Sequence, residues 1–344
     1  MNEFKAYINT ELLNWYDEHA RVLPWRDNPT PYRIWISEIM LQQTRVEAVR
    51  SYFERWMIKA PDVFILSQLS LDEINKLWEG LGYYSRARNI LKASKIIVKQ
   101  YNGILPSSKH LLEELPGIGP YTSGAISSIA FNQKETAVDG NVLRVFARLT
   151  ANKNDIKSLS TKKEIKKIVY DVLPEDRVGD FNQSLMELGA TVCIPNGEPK
   201  CVSCPLINIC ESYKQNLTSL IPVKQKKKIQ RVEKVTVLLV NKDGLIAIKR
   251  RPDSGLLALL YEYPNFDYHM TKGELTLMYP NSEIVPLPDA KHVFTHIIWK
   301  MKGFSILIKE DEFSKDYIWA TPDDISNTYT IPTAFKAYTK LIFK

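Results

Sequence analysis

The stretch Leu115–Arg148 constrains the fold of this chain more than any other part of the sequence. It opens with Leu-Pro-Gly-Ile-Gly-Pro, in which Pro116, Gly117 and Gly119 predict a tight turn, because glycine reaches backbone angles closed to other residues. Pro120 then suits the first turn of a helix, where its missing N–H costs nothing. This order predicts a helix-hairpin-helix, whose backbone N–H groups can bind an anion such as a DNA phosphate. An ordinary turn between two helices is the alternative.

Asp139 is the second notable residue of this stretch. It precedes Gly140, Asn141 and a run with Val142 and Phe146 on one helical face, so it is predicted to be the N-cap of a helix. Capping alone explains an aspartate here. The positive end of the helix dipole also favours the ionised carboxylate, which would then be well placed to face a cation forming on a DNA sugar. The two roles are compatible.

Glu38 lies within a predicted helix from roughly Tyr32 to Arg45. It shares a helical face with Ile34, Trp35 and Leu41, at spacings of three and four residues. A carboxyl group among such neighbours is desolvated and holds its proton more tightly, as a general acid must. The alternative is a glutamate that reaches solvent from the edge of the helix. Polar residues follow at the predicted helix end: Gln42, Gln43 and Thr44.

Composition indicates a soluble, globular chain of two domains. Of 344 residues, 44% are hydrophobic and 25% charged, and no apolar run reaches the length of a membrane span. Neither a signal peptide nor a membrane partner is predicted, so we expect a cytoplasmic protein. We also expect a monomer, and association with the nucleoid if the chain binds DNA. The net charge of +7 and pI of about 9.0 permit nucleic-acid binding without requiring it.

All four cysteines lie within one short segment, at Cys193, Cys201, Cys204 and Cys210. In a reducing cytosol this clustering favours metal ligation over disulfides. Four thiolates at such spacing can hold a [4Fe–4S] cluster or one tetrahedral zinc ion, and the spacing alone does not choose between them.

The predicted secondary structure changes along the chain from helices to strands. The first part reads as helical, and its segment 80–88 combines Gly80, Gly82, Tyr83 and two arginines, as a loop facing DNA would. A basic linker at 216–233 follows, and then strands are predicted, beginning with a hairpin over 235–250. A closing helix is predicted after Pro332. The prediction is therefore an all-α part followed by an α+β domain.

These motifs are specific enough to indicate a family. The first 215 or so residues resemble the helix-hairpin-helix, iron–sulfur DNA glycosylases. Ser-Glu-Ile-Met-Leu-Gln-Gln-Thr, Leu-Pro-Gly-Ile-Gly-Pro-Tyr-Thr and Val-Asp-Gly-Asn-Val are similar to the adenine glycosylase branch, the MutY family. The remainder resembles the Nudix-like domain of that branch. The resemblance implies an iron–sulfur helical domain (1–28 and 140–215), a six-helix domain with the hairpin (29–139), the linker (216–233) and a Nudix-like lesion-recognition domain (234–344).

The resemblance implies a DNA repair enzyme with a [4Fe–4S] cluster. Its substrate would be duplex DNA carrying adenine mispaired with 8-oxoguanine or guanine, and its reaction hydrolysis of the adenine N-glycosidic bond after base flipping. Glu38 matches the general acid that protonates N7 of adenine. Asp139 matches the carboxylate that stabilises the oxocarbenium-like sugar by charge or covalently. Asn141 matches a residue that supports this site, and Tyr121 one that lines it.

Further positions match the family by motif. Gln43 matches the residue that wedges into the base stack, with Gln42 and Thr44 beside it, and Leu81 and Tyr83 match the loop that buckles the helix. The hairpin glycines, Gly117 and Gly119, would hold a phosphate. The matches to adenine-pocket residues are Trp25, Arg26 and Gln183. The loop that reads the oxidised guanine is matched by Phe294, Thr295 and His296, where the family has Phe-Ser-His; without the resemblance, His296 would be interpreted as a strand histidine.

Two departures from the family pattern matter. The first cysteine gap is seven residues here, where the family usually has six, which would displace the region of Lys200. The second part also lacks the Arg-Glu-x-x-Glu-Glu pattern with which Nudix hydrolases hold magnesium. We therefore expect this domain to recognise a base without hydrolysing a nucleotide.

Two other functions compete with this prediction. An endonuclease III-like bifunctional glycosylase/lyase would need a lysine in the helix after the hairpin, where this chain has Tyr121 and Thr122. A non-enzymatic iron–sulfur redox sensor would bind DNA but would not need Glu38 on an apolar helix face. The sequence predicts the monofunctional glycosylase.

Overall fold

The computed structural model describes residues 2–225, 231–308 and 316–343, and its contacts divide the chain into two compact units. The first unit comprises Met1–Gln68 and Asn89–Lys226, and the second comprises Leu69–Arg88 and Lys227–Lys344. This grouping divides the predicted range 29–139, and the four domain ranges stay predictions. In the predicted linker, Lys226, Lys227 and Lys228 lie outside the described residues.

The described part of the chain up to residue 225 is helical. Its helices are α1 (Asn2–His19), α2 (Pro24–Asp27), α3 (Pro31–Leu41), α4 (Val46–Lys59), α5 (Val63–Gln68), α6 (Leu71–Leu77), α7 (Ser85–Tyr101), α8 (Lys109–Glu113), α9 (Pro120–Phe131), α10 (Gly140–Leu149), α11 (Leu159–Val172), α12 (Val178–Thr191) and α13 (Glu211–Lys214). The 3₁₀ turns Cys201–Ser203 and Ile207–Ile209 precede α13.

The predicted hairpin is confirmed as the connection between α8 and α9. Gly117 has φ of 83°, the left-handed region that its glycine was predicted to supply. A β-carbon there would also lie 2.7 Å from that of Asn89, so no larger residue fits without a shift. Pro120 is the first residue of α9, and Gly119 is its N-cap. The Leu-Pro-Gly-x-Gly-Pro order therefore builds the turn for which each residue was suited.

Helix α9 packs against both α3 and α12, and α12 also contacts α1 and α10. A cluster of buried side chains from α1, α10, α11 and α12 includes Ile8, Leu12, Phe146 and Phe181. The predicted catalytic residues lie on α3 and α9 and at the start of α10, and the predicted adenine-pocket residues lie on α2 and α12. Since α2 contacts α3, this packing brings distant parts of the sequence together.

In the part of the chain that the structure describes, the second unit is built on a sheet of seven strands. The strands are β1 (Arg231–Lys242), β2 (Leu245–Arg250), β3 (Tyr261–Glu262), β4 (Asn265–Phe266), β5 (Glu283–Val293), β6 (Ile297–Leu307) and β7 (Ile318–Ala320). Their order is β3-β2-β1-β6-β5, with β4 paired to β1 and β7 paired to β2. Besides α6, the described helices of this unit include α14 (Lys272–Met278), α15 (Pro322–Asn327) and α16 (Lys336–Ile342), the last directly after a 3₁₀ turn, Thr333–Phe335.

The sheet confirms the predicted hairpin. Strands β1 and β2 are antiparallel, with Asn241 opposite Ile246, and the turn residues Asp243 and Gly244 have φ of 52° and 83°. By contrast β1 and β6, which are distant in sequence, pair in parallel from Arg231–Ile297 to Asn241–Leu307. The closing helix predicted after Pro332 is also present, as the 3₁₀ turn and α16.

One helix boundary differs from the prediction. Helix α3 ends at Leu41 rather than near Arg45, because the next residues leave helical angles and Gln43 has φ of 57°. Among the described residues, no helix combines the length and apolar character that crossing a membrane requires.

Candidate active site

A cleft of about 1370 Å³ opens in the first unit between α3, α9, α10 and α12. It is large enough to take up a nucleotide, since small-molecule pockets are about 300–1,000 Å³. The cleft gathers most of the predicted site residues: Trp25, Arg26, Glu38, Gln42, Gln43, Thr44, Gly117, Gly119, Tyr121, Asp139, Asn141 and Gln183. Four lysines also line it: Lys157, Lys162, Lys166 and Lys224.

Glu38 lies buried on α3, with 6% of its surface exposed, so the alternative of a solvent-facing glutamate is wrong. Burial raises the pKa of its carboxyl to about 7, and the nearby charge of Asp139 adds to this. The Tyr121 hydroxyl donates a hydrogen bond of 2.8 Å to Oε2 of Glu38, which opposes the rise in pKa. Glu38 is therefore a carboxyl group poised to carry a proton near neutral pH.

Asp139 is the N-cap of α10, as predicted. Its Oδ1 accepts hydrogen bonds from the backbone N–H groups of Asn141 and Val142, both 2.8 Å, and its Oδ2 accepts one of 2.7 Å from Asn141 Nδ2. Burial raises the pKa of Asp139 above its usual value, and these hydrogen bonds and Arg144 offset only part of that rise. An ionised carboxylate only accepts hydrogen bonds, so the three donors around Asp139 favour its ionised form over its protonated form. Glu38 and Asp139 thus meet in one cleft in different environments.

Arg144 and Gly189 support this carboxylate, and both were missed in the sequence. Arg144, 5% exposed on α10, donates from Nη2 to Asn141 Oδ1 at 2.9 Å and to the Gly189 carbonyl at 2.6 Å. Its Nε donates to the carbonyl of Cys193 at 2.7 Å. A β-carbon at Gly189 would lie 2.5 Å from that of Asn141, so glycine lets α12 approach. The sequence feature that could have indicated Arg144 is its position three residues after Asn141, on an otherwise apolar face of the helix.

An ion-pair network forms another wall of the cleft. Glu187, 1% exposed, is paired with both Arg21 and Arg26, at 2.9 Å for the second. Burial acts to raise the pKa of Glu187, but the two guanidinium groups more than offset it, and its pKa is lowered. Arg26 Nε also donates to Gln183 Oε1 at 3.0 Å. Arg26 and Gln183 were predicted from the family resemblance, whereas Arg21 and Glu187, which lie in no local motif, were not predicted.

Polar residues follow α3 at the cleft. Gln42 Nε2 donates to Thr122 Oγ1 at 3.0 Å, so α3 and α9 are joined beside the hairpin. Gln43 is exposed in a left-handed conformation, which costs energy for a residue other than glycine and is found preferentially at functional sites. Trp25 is buried, with its ring edge-on to Phe53 at 5.5 Å.

The four cysteines line one small cavity of about 30 Å³ in the first unit. None of the four forms a disulfide, and Arg148 Nη1 lies 3.3 Å from Cys193 Sγ. Within residues 2–225, 231–308 and 316–343, no three histidine, cysteine, aspartate or glutamate side chains are placed to hold a single metal ion. The thiols are thus gathered around a common space beside a positive charge.

The predicted lesion-reading residues lie in the second unit. Phe294, Thr295 and His296 form the turn between β5 and β6, and Thr295 and His296 are exposed, so His296 is not a strand residue. Thr295 Oγ1 and the hydroxyl of Tyr83 are 2.9 Å apart. Leu81, by contrast, is buried, with 8% exposed. The structure thus joins two of the predicted loops through Tyr83 and Thr295.

Comparisons with known proteins match this architecture. Residues 36–171 match the family model described as HhH-GPD superfamily base excision DNA repair protein, and residues 235–341 match the NUDIX domain model. The adenine DNA glycosylase of Mus musculus is 33% identical over 96% of this chain and 76% of its own. This chain belongs to the adenine DNA glycosylase family. It is accordingly a hydrolase of N-glycosyl bonds with a helical glycosylase domain and a C-terminal Nudix-like domain.

Two further similarities extend the comparison. The adenine DNA glycosylase of Buchnera aphidicola subsp. Schizaphis graminum (strain Sg) is 33% identical over 94% of this chain and 95% of its own. The solved structure of a thermostable thymine-DNA glycosylase is 27% identical, covers 62% of this chain and 98% of its own, and superposes with a TM-score of 0.57. The resemblance to adenine DNA glycosylases therefore includes the Nudix-like part, whereas the thymine-DNA glycosylase corresponds to part of the chain.

Proposed function

We propose that this adenine DNA glycosylase excises adenine paired with 8-oxoguanine, or with guanine, from duplex DNA, and that it is monofunctional. The observation that carries the proposal is the pairing in one cleft of a buried glutamic acid, Glu38, with a hydrogen-bonded aspartate, Asp139. Such a pair of carboxyl groups in different environments divides acid catalysis from cation stabilisation. The monomeric state and the cytoplasmic, nucleoid-associated location remain expectations from the sequence.

The proposed reaction begins with a flipped adenine, since two carboxyl groups within a cleft cannot reach N7 and C1′ of a base that is still stacked in the duplex. Protonated Glu38 gives its proton to N7, and the bond between C1′ and N9 breaks with its electron pair leaving on the base. Asp139 stabilises the positive charge that develops on the sugar. Water then adds at C1′ and loses a proton. Tyr121 holds Glu38 through its hydrogen bond, while Asn141 and Arg144 hold Asp139.

In the first unit, DNA binding is assigned to residues that line the cleft. The hairpin glycines and the four lysines at the cleft supply backbone N–H groups and positive charge for phosphates. Gln43, exposed beside the cleft, is proposed to enter the base stack in place of the flipped adenine. The exposed turn Phe294–His296 and Tyr83 are proposed to read the base opposite adenine.

We propose that Cys193, Cys201, Cys204 and Cys210 hold a [4Fe–4S] cluster. The four free thiols line one cavity, and the Arg148 guanidinium beside Cys193 would stabilise a thiolate ligand. When bound, the cluster would fix the loop that a small core could not order. Metal analysis and the visible absorbance of the purified protein test this: about four iron atoms per chain support a cluster, and a single zinc ion contradicts it.

The substrate is tested with duplexes that pair adenine with 8-oxoguanine, guanine or cytosine. We expect adenine release from the first two and little from the third. Thr295→Ala with His296→Ala should remove the preference for 8-oxoguanine over guanine while leaving excision. Unchanged preference in that double variant would contradict the assignment of the turn.

The monofunctional reaction is tested by borohydride trapping. Helix α9 presents Tyr121 and Thr122 to the cleft, where a lyase of the endonuclease III type would need a lysine. We expect adenine release without efficient formation of a covalent protein–DNA adduct. An adduct formed as fast as adenine is released would establish a bifunctional lyase instead.

A further inference from the structure

Residues 69–88 form one compact unit with the C-terminal domain, although they lie among the helices in sequence. The segment contains α6, a turn and the loop Gly80–Tyr83. Nothing in the sequence around it predicts this association. Its contacts explain it.

Polar side chains on one face of α6 and its following turn reach the C-terminal domain. Asp72 accepts a hydrogen bond from Arg250 at 2.5 Å and one from the Tyr261 hydroxyl at 3.3 Å. Lys76 lies 3.3 Å and 3.5 Å from the carbonyl oxygens of Ile325 and Tyr329.

One turn further on, Glu79 accepts a backbone hydrogen bond from Ile331 and pairs with Lys76 at 2.7 Å. Asp72, Lys76 and Glu79 are spaced by four and three residues, the spacing of one helical face. We call these three residues the α6 stripe. Each member has a partner beyond residue 249, so the stripe attaches α6 along its length.

The loop that follows is rigidly connected to this stripe. Arg86, 8% exposed, lies over the rings of Trp78 and Tyr83 at 5.0 Å and 5.6 Å, and donates to the Gly82 carbonyl at 3.1 Å. Trp78 Nε1 donates to the same carbonyl at 2.9 Å. A displacement of α6 would therefore carry Tyr83 with it.

At the tip, the Tyr83 hydroxyl and Thr295 Oγ1 form a hydrogen bond between exposed side chains. Tyr83 is 48% exposed and has φ of 49°. A hydrogen bond between exposed side chains competes with water and contributes little to the register of two loops. The α6 stripe adds several contacts that are partly buried.

We infer that Asp72 and Lys76 are positioning residues for recognition of the base opposite the target adenine. They hold the loop Gly80–Tyr83 in register with the turn Phe294–His296, so that the two present one surface to that base. The inference rests on the proposed role of this turn in reading 8-oxoguanine. Neither residue is among those that line the cleft.

The test combines a charge swap with two readouts in the full-length enzyme. Asp72→Ala, Arg250→Ala, their double variant, Asp72→Arg with Arg250→Asp, and Lys76→Met are compared with the unaltered protein. The first readout is the ratio of single-turnover rates on duplexes pairing adenine with 8-oxoguanine and with guanine. The second is amide hydrogen exchange of residues 80–84 without DNA. Asp323→Ala, an exposed acidic residue of the same unit, is the control for lost charge.

We expect Asp72→Ala and Arg250→Ala each to lower the rate ratio by about two- to five-fold, the range for a partly exposed ion pair, with no further loss in the double variant. Amide hydrogen exchange of residues 80–84 should become faster in the same variants. Asp72→Arg with Arg250→Asp should restore both the rate ratio and the exchange. Asp323→Ala should change neither readout. Lys76→Met should act in the same direction as Asp72→Ala.

Unchanged exchange in Asp72→Ala and Lys76→Met would overturn the inference, as would faster exchange with an unchanged rate ratio. If the unaltered enzyme excises adenine equally from both duplexes, the proposed substrate preference fails. In that event, faster exchange in the variants would still establish that the stripe orders the loop, and unchanged exchange would refute both claims.

Discussion

Replacing Tyr121 by phenylalanine should move the alkaline limb of the pH–rate profile to higher pH. The acid mechanism requires protonated Glu38, so the rate falls as the pH rises through the Glu38 pKa of about 7. The Tyr121 hydroxyl donates to Oε2 of Glu38 at 2.8 Å and stabilises its anion, which lowers that pKa. Without the hydroxyl, Glu38 should keep its proton to higher pH.

The size of this shift follows from the strength of the lost bond. A hydrogen bond to a charged group contributes about 1.5–3 kcal/mol, and one pKa unit corresponds to about 1.4 kcal/mol, so the limb should move up by about one to two pH units. Burial is the larger influence on Glu38 and is retained, because phenylalanine keeps the ring in place.

Single-turnover rates of adenine release, measured from about pH 5 to about pH 9, are the assay. The position of the limb is diagnostic, because a purely structural loss would lower the rate at every pH without moving it. Tyr170→Phe is the matched control, because Tyr170 is an exposed residue of α11, and it should leave the alkaline limb in place. A limb that stays near pH 7 or moves down in Tyr121→Phe would refute the reasoning about Glu38.

Two further predictions concern stability. The folded-state pKa of Glu38 is raised from 4.5 to about 7, so its protonation stabilises the fold below pH 4.5, and this contribution is lost as the pH rises to 7. Between those limits the free energy of unfolding of Glu38→Gln should therefore increase by about 3 kcal/mol relative to that of the unaltered protein, as measured by denaturant unfolding at acidic and alkaline pH. Equal pH dependence of the two proteins would contradict the assigned pKa. Gly189→Ala should destabilise the protein by about 1–3 kcal/mol in thermal unfolding, because its methyl group would press on Asn141. Gly273→Ala is the control and should be neutral or stabilising, because the nearest atom to its added β-carbon is Thr271 Oγ1 at 3.9 Å. A stabilised Gly189→Ala protein would show that the two helices can separate there at no cost.

Local sequence signals predicted the parts of the structure whose causes are local. The hairpin follows from glycine and proline conformations, the cap at Asp139 from its place before a helix, and the β1–β2 turn from Asp243 and Gly244. The burial of Glu38 was predictable because three of its four helical neighbours at three- and four-residue spacing, Ile34, Trp35 and Leu41, are apolar.

Contacts between distant segments were not predictable in this way. Tyr121 and Glu38 are 83 residues apart in sequence, and Arg21 and Glu187 are 166 residues apart. Neither contact is indicated by a periodic pattern or a turn residue in the sequence. The family resemblance supplied Tyr121 but not the ion pair. The end of α3 at Leu41 was missed because nothing local marks Gln43 as left-handed, and the grouping of 69–88 with the C-terminal domain depends on partners beyond residue 249.

Release of adenine by Glu38→Gln tests the central claim most directly. The measurement is single-turnover cleavage of a duplex pairing adenine with 8-oxoguanine, with binding of the same duplex measured in parallel. Glutamine keeps the shape of the side chain but has no acidic proton, so binding should be retained and the rate should fall by about 100-fold or more. A Glu38→Gln protein that binds this duplex and releases adenine as fast as the unaltered enzyme would contradict acid catalysis by Glu38.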